Sequence, residues 1–351
     1  MPSSQTREKL PPIPIWKRLT VARRMLTVER VCIFMIVLLL VYGIVAVPYL
    51  IELLGYYRKN GVTFYPSYLL IVIPGFICSR VLYLFSAKYL APRLQPYFVD
   101  ESRKDARVPL PVDEETVRKV GNCIYGTIYY ATSVTVLMGI IIQDNLLPTQ
   151  LFGAQNPDNF CLVWPEQPSV SLQIFYMATL SHHIERLYYE FVDNSHAPTF
   201  YTMVYHHLLT IFLVGTSFWP FLHKYGVFIL ITHDFTDILL NFGRVVKVLM
   251  RGNWLKTIIM ALLIISWAWL RLAVFIRVVL VSMTKCYWYP ESSLRRFFIA
   301  NILFLPALTT LACLNAFWFI QMLKVAYDRL VRGEYQIPYL ERKESDRQKS
   351  D

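Results

Sequence analysis

Apolar side chains gather in eight stretches of this chain, separated by short segments that collect its charged residues, prolines and polar turns. The stretches are Val31–Leu54, Tyr68–Ala87, Val120–Ile142, Val170–Phe191, Thr199–Trp219, Tyr225–Met250, Leu255–Ser282 and Phe297–Ala326. A helix rises about 1.5 Å per residue, so roughly 20 residues cross the ~30 Å hydrocarbon layer of a bilayer. The pattern therefore predicts an all-α polytopic membrane protein with about eight transmembrane helices. Residues 1–30 form a basic tail, 31–114 two helices and a loop, 115–328 a six-helix unit and 329–351 a second tail. Met1–Pro14 and Arg342–Asp351 have little to bury and are expected to be disordered. No internal repeat of fixed period is present.

Composition agrees with that reading. Of 351 residues 55% are hydrophobic and 17% charged, and the mean hydropathy is +0.40, too apolar for an ordinary soluble domain. The net charge of +11 sits in tails and loops rather than on one soluble face, which points to a membrane surface and away from nucleic acid. The amino-terminal tail, the second-to-third loop (Lys88 to Lys119), the sixth-to-seventh loop and the carboxyl tail are all basic. The segment from Gln143 to Ser169 carries only Asp144, Asp158 and Glu166. Both termini are therefore expected on the cytosolic side. The six cysteines contain no C-x-x-C pair and imply no zinc site. Cys161 and Cys286 fall in loops on the same non-cytosolic side, where a disulfide between them is open.

Polar residues inside the spans carry the candidate chemistry. All seven histidines lie between His182 and His233, five of them within spans, where an ionisable group is costly and needs a partner or a task. Spans five and six are joined only by Pro220–Lys224 and are expected to be antiparallel neighbours. Taking Leu222 as the turn, His207 lies 15 residues before it and Asp237 15 after, at similar depth. Asp234, Asp237, Asn241 and Arg244 repeat at helical spacing and form one polar stripe expected to face the bundle interior. His206 and His207 point about 100° apart on a helix, and the depth match favours His207. A carboxylate that holds an imidazole makes it a better base or nucleophile. Arg271 is expected to compensate Asp234 or Asp237, or to bind an anionic substrate group. His182, His183, Glu185 and Arg186 form a second polar cluster, for which structural and functional roles stay equally open.

From Tyr205 to Val248 the sequence resembles the signature segment of TLC-domain proteins and, among them, the ceramide synthases. The resemblance rests on H-H-x-x-T-I at His206–Ile211, Thr216-Ser217 and H-D-x-x-D at His233–Asp237. WPEQP at Trp164–Pro168, Trp267 to Arg271, and the last helix with Trp318 extend it to about Val117–Lys324. It implies that residues 115–328 are a TLC six-helix catalytic domain. It also implies an acyl-CoA-dependent sphingoid-base N-acyltransferase of the endoplasmic reticulum membrane, with no cofactor beyond acyl-CoA as co-substrate. Partners so implied are acyl-CoA, a long-chain sphingoid base and membrane lipids, with homo- or hetero-oligomers or a small regulatory subunit also open.

The catalytic residues expected are His206, His207, Asp234 and Asp237. His233, Asn241, Arg271 and His183 follow as weaker substrate-binding candidates. One histidine takes the amine proton, or is itself acylated first. The chain departs from the family at Asp193–Thr199, where a basic connector is usual, at Asn241 in place of an acidic residue, and at Asn315 in place of a histidine. A noncatalytic lipid-binding TLC protein and a proton-coupled transporter are the alternatives. A di-iron hydroxylase is disfavoured because H-x-x-x-H and H-x-x-H-H spacings are absent.

Overall fold

A computed structural model describes residues 15–59, 66–98, 114–144, 146, 167–218, 223–250, 253–280 and 294–332. Residues 1–14 and 333–351 of the two tails, most of the second-to-third loop, Trp164–Glu166 and the Cys161–Cys286 pair lie outside the described residues, while residues 15–30 of the amino-terminal tail are helical and open α1. The described part is helical, with no strand among its residues. Eight long helices account for it. They are α1 (Ile15–Lys59), α2 (Val72–Phe85, prolonged into a rod over Ser67–Tyr97), α3 (Glu114–Gln143), α4 (Val170–Asp193) and α5 (Phe200–Ser217). After them come α6 (His223–Leu249), α7 (Asn253–Ser266, continuing in wide π-type turns over Trp267–Leu280) and α8 (Leu294–Arg332). The chain is an all-α polytopic membrane protein.

Six of these helices are long and apolar enough to cross a membrane. The other two fall short, α5 through His206-His207 and α4 through Glu185, Arg186, Glu190 and Asp193 as well as its own histidine pair. Burial explains how they stay in the same bundle. In α4, His182, His183, Glu185, Arg186 and Glu190 are all buried inside the protein, so their polarity is met by neighbouring helices rather than by lipid. Local signals set the ends. Glu114 and Glu115 occupy the first turn of α3, where negative charge favours the helix dipole. Ser169 caps α4 by accepting from the Leu172 N–H at 3.2 Å, and it donates to Asp144 Oδ2 at 2.5 Å, joining the end of α3 to the start of α4.

Packing places six helices in a closed ring whose order is not that of the chain. Helix α3 lies against α6 over its most extensive interface, α6 against α7, α7 against α8, α8 against α5, α5 against α4, and α4 touches α3. Helix α1 lies outside this ring on α5, and α2 outside it on α4. The expectation that α5 and α6 are side-by-side neighbours is therefore corrected. They touch sparingly and stand on opposite walls, because α5 gives its broad contacts to α4 and α1 and α6 gives its own to α3.

Two clusters hold the ring. The main apolar core includes Leu137, Leu172, Leu209, Phe228, Phe275 and Phe304, drawn from all six helices. Near the far end of α4 lies a charged and aromatic cluster. Arg80 of α2 pairs with Asp193 at 2.7 Å and with Glu185 at 3.4 Å. Arg186 pairs with Glu185, donates to Asn122 Oδ1, and lies 4.5 Å over the Tyr125 ring. A buried pair of this kind locks helix orientation, since either charge left alone in the interior is costly.

The α3–α6 interface needs a glycine. A Cβ placed on Gly126 would lie 2.9 Å from Asn241 Cγ, whereas one on Gly139 of the same helix meets nothing within 4 Å. Gly126→Val is expected to destabilise by about 1–3 kcal/mol through overpacking, while Gly139→Val changes stability by less than about 0.5 kcal/mol. Thermal unfolding of the two variants in detergent measures the difference.

Candidate active site

The ring encloses a cavity whose empty space, open mouth included, is about 790 Å³. All six ring helices contribute to its wall. Its polar part is lined by His183 of α4, His206 of α5, His233, Asp234 and Asp237 of α6, and Arg271 of α7. From there an apolar arm, lined by Leu213, Val214, Leu230, Phe304, Leu308 and Leu311, runs toward the end at which α5 and α6 are linked. Gly226 sits at that end. A Cβ there would fall 1.9 Å from Tyr176 Oη, which donates to the His223 carbonyl at 3.1 Å and lies beneath the arm.

On the α6–α7–α8 side the polar groups interlock. Arg271 Nη2 meets Asp237 Oδ1 at 2.6 Å and donates to the His233 carbonyl at 2.7 Å, while Nε donates to Thr236 Oγ1 at 2.5 Å. The guanidinium also covers the Trp267 ring at 3.9 Å, an arrangement that favours a desolvated cation. Trp267 Nε1 in turn donates to the Asn315 carbonyl at 3.0 Å. His233 Nδ1 lies 2.8 Å from the Ile229 carbonyl, which can only accept, so Nδ1 carries the proton. Its Nε2 is then free to accept from Asn315 Nδ2 at 3.1 Å. His233 is thus held as one tautomer between two helices. Asp234 Oδ2 accepts from Ser133 Oγ of α3 at 2.6 Å.

The two tandem histidines are treated differently. His206 lines the cavity, and its ring meets the edge of Trp318 at 5.0 Å between centroids. His207 is buried, does not line the cavity, and turns toward His183 at 6.3 Å. The depth match that favoured His207 fixed its level in the membrane but not its azimuth on the helix. Neither histidine is hydrogen-bonded to a carboxylate among the described residues. Asp234 is engaged by Ser133 and Asp237 by Arg271, and the Nδ1 atoms of His206 and His207 have no hydrogen-bond partner there. Imidazole and carboxylates therefore face one another across a cavity rather than forming a direct dyad.

Arg271 pairs with Asp237 rather than with Asp234. In the α6 stripe, Asn241 donates to the Asp237 carbonyl at 2.8 Å and packs on Gly126, outside the cavity wall, and Arg244 is exposed. His183 does line the cavity. The sequence reading left out Ser133, Thr236 and Tyr130, which touch or border the acidic pair. Isolated hydroxyls on apolar helices carry no periodic signal that separates a partner from a packing residue. Among the described residues no group of three or more His, Cys, Asp or Glu side chains is arranged to hold a metal.

Residues 119–324 match the TLC domain, over half of the chain and across all six ring helices. The chain belongs to the TLC-domain family. It is 25% identical over 214 residues to ASC1-like protein 3 of Oryza sativa subsp. japonica, covering 61% of this chain and 71% of that protein. It is 22% identical over 231 residues to ceramide synthase hyl-2 of Caenorhabditis elegans, covering 63% and 67%. Against ceramide synthase LOH1 of Arabidopsis thaliana it is 25% identical over 157 residues, 44% of this chain and 50% of that protein. The chain thus spans about half the length of the Arabidopsis relative.

Removing one member of the α6–α7 ion pair isolates the other in the interior. Arg271→Met is expected to destabilise by about 3–5 kcal/mol. The double variant Arg271→Met/Asp237→Leu recovers most of that loss, as read by thermal unfolding in detergent. Equal losses in single and double variants rule out the pair as the source.

Proposed function

We propose that this TLC-domain protein is a ceramide synthase, transferring a fatty acyl group from acyl-CoA to the amine of a sphingoid base in the endoplasmic reticulum membrane. One observation carries the reading. The ring of a TLC domain holds a cavity with an imidazole, two carboxylates and an arginine at its polar end, and an apolar arm leading away from them. A fatty thioester needs that combination, with its chain housed in the arm and its carbonyl delivered to a histidine. The ceramide synthases among its relatives supply the reaction class.

In this reading His206 is the histidine that acts, because it is the member of the tandem pair on the cavity wall. It takes a proton from the attacking amine, or carries the acyl group in a first step. Either way a positive imidazole develops in a low-dielectric space, where the Asp234 and Asp237 carboxylates across the cavity stabilise it at a distance. Arg271 keeps Asp237 oriented, and His233 is a fixed wall rather than a base. Burial keeps water from competing for the acyl group. His207 supports His206 from behind.

Acyl transfer by the purified protein, assayed with labelled long-chain base and acyl-CoA, tests this directly. Amide product dependent on both substrates is expected. His206→Ala is expected to lower the rate by about 10²–10⁴-fold, in the range of lost acid–base catalysis, and His207→Ala by less. Normal N-acylation by the His206→Ala/His207→Ala double variant would falsify the assignment. Stoichiometric retention of lipid without turnover identifies a lipid-binding member of the family instead.

A further inference from the structure

The histidines of α4 have no task in the reaction as drawn, yet their arrangement is not that of packing residues. His206 and His207 lie 5.3 Å apart between ring centroids, His207 and His183 6.3 Å, and His183 and His182 5.3 Å. His182 Nδ1 then lies 2.9 Å from Tyr125 Oη. Tyr125 sits beneath Arg186, at the edge of the cluster of Arg186, Glu185, Arg80 and Asp193. His182 is 0% exposed, His183 7% and His207 5%. Each keeps one buried ring nitrogen with no hydrogen-bond partner among the described residues, His182 Nε2 and the Nδ1 atoms of His183 and His207.

Leaving a buried polar atom unsatisfied costs about 1–3 kcal/mol, which a phenylalanine or leucine in the same place would avoid. Imidazole offers what those side chains lack, a donor and an acceptor on opposite edges that exchange as a proton passes. Chains of histidine and acidic residues are how protons cross apolar interiors.

The reaction needs such a route. A sphingoid base enters as an ammonium, and the balance is R–NH3⁺ + R′–CO–S–CoA → R–NH–CO–R′ + CoA–SH + H⁺. The C–N bond forms and the C–S bond breaks. Of the two protons the nitrogen loses, one goes to the thiolate sulfur and the other must leave a site enclosed by six helices.

Resting on the N-acyltransferase reading, we propose that His183, His182 and Tyr125 carry that second proton from the cavity to the charged cluster at the end of α4. His183 receives it at the cavity wall, either directly or from His206 by way of His207. Tyr129 lies face to face with the His182 ring at 3.4 Å and Tyr130 meets its edge at 5.6 Å, so the aromatic rings of α3 fix it in place. Arg186 faces the far side of Tyr125, and Glu185 and Asp193 are the acceptors beyond it. Asp193 is the outlet, since its side chain is 17% exposed whereas Glu185 is fully buried.

The test uses the full chain in detergent, with a long-chain base and acyl-CoA as substrates, in H2O and in D2O. His182→Gln and Tyr125→Phe keep shape while interrupting the route. Each is expected to lower kcat by on the order of 10²-fold and to raise the solvent deuterium isotope effect, because proton departure becomes rate-limiting. KM for acyl-CoA stays unchanged. Unchanged kcat and isotope effect in both variants overturn the relay, as does a rise in KM alone, which marks a packing role. Should His182→Gln fail to fold, Tyr125→Phe decides, because it retains the ring under Arg186. Absence of amide product from the unsubstituted chain is a different failure, that of the N-acyltransferase reading itself.

Discussion

Arg271 is 2% exposed in a part of the chain that the bilayer's hydrocarbon surrounds, and a bare guanidinium there is among the most costly groups a protein can hold. The structure meets that cost with Asp237, Thr236, the His233 carbonyl and the face of Trp267. Those partners sit on α6 and α7, and Trp267 and His233 both reach on to Asn315 of α8. One buried cation thereby fixes three helices relative to one another. The wide turns of α7 over Trp267–Leu280 contain it, and such turns commonly mark a place where function overrides regular winding.

Of the remaining three helices of the ring, α3 and α4 are held by a second buried charge. Arg186 ties α4 to α3, and Arg80 brings α2 into the same cluster. α2 precedes the region that matches the TLC domain, so part of the site's support comes from outside the family unit. Between the two anchored halves lies the cavity. Apolar packing alone does not distinguish one helix rotation from another in lipid, whereas each buried ion pair permits very few. The cavity's polar wall is therefore a product of the same interactions that set the fold.

Much of this was legible in the sequence. Span lengths gave the helices, and His206, Asp234, Asp237, His183 and Arg271 stood out because polar residues in such spans require a reason. The order of helices around the ring was not legible. A short link predicts adjacency, and for α5 and α6 the prediction failed because nothing in the chain between Ser217 and His223 reports what lies between the walls it joins. Nor could spacing choose between His206 and His207, since level along a helix is read from residue counts while azimuth depends on which neighbours α5 meets. The Arg80 contribution was hidden for a similar reason. Arg80 lies inside the second span, and its partners Glu185 and Asp193 are on α4, a helix that nothing in the sequence places beside it.

The link between α5 and α6 also constrains how the molecule can move. Five residues separate Ser217 from His223, and at ~3.3–3.6 Å per extended residue they limit how far those two opposite walls can part at that end. No comparable tether joins them at the other. Any breathing of the ring is therefore wedge-shaped, with the linked end acting as a hinge and the splay growing toward the end where α4 and α3 carry their charges.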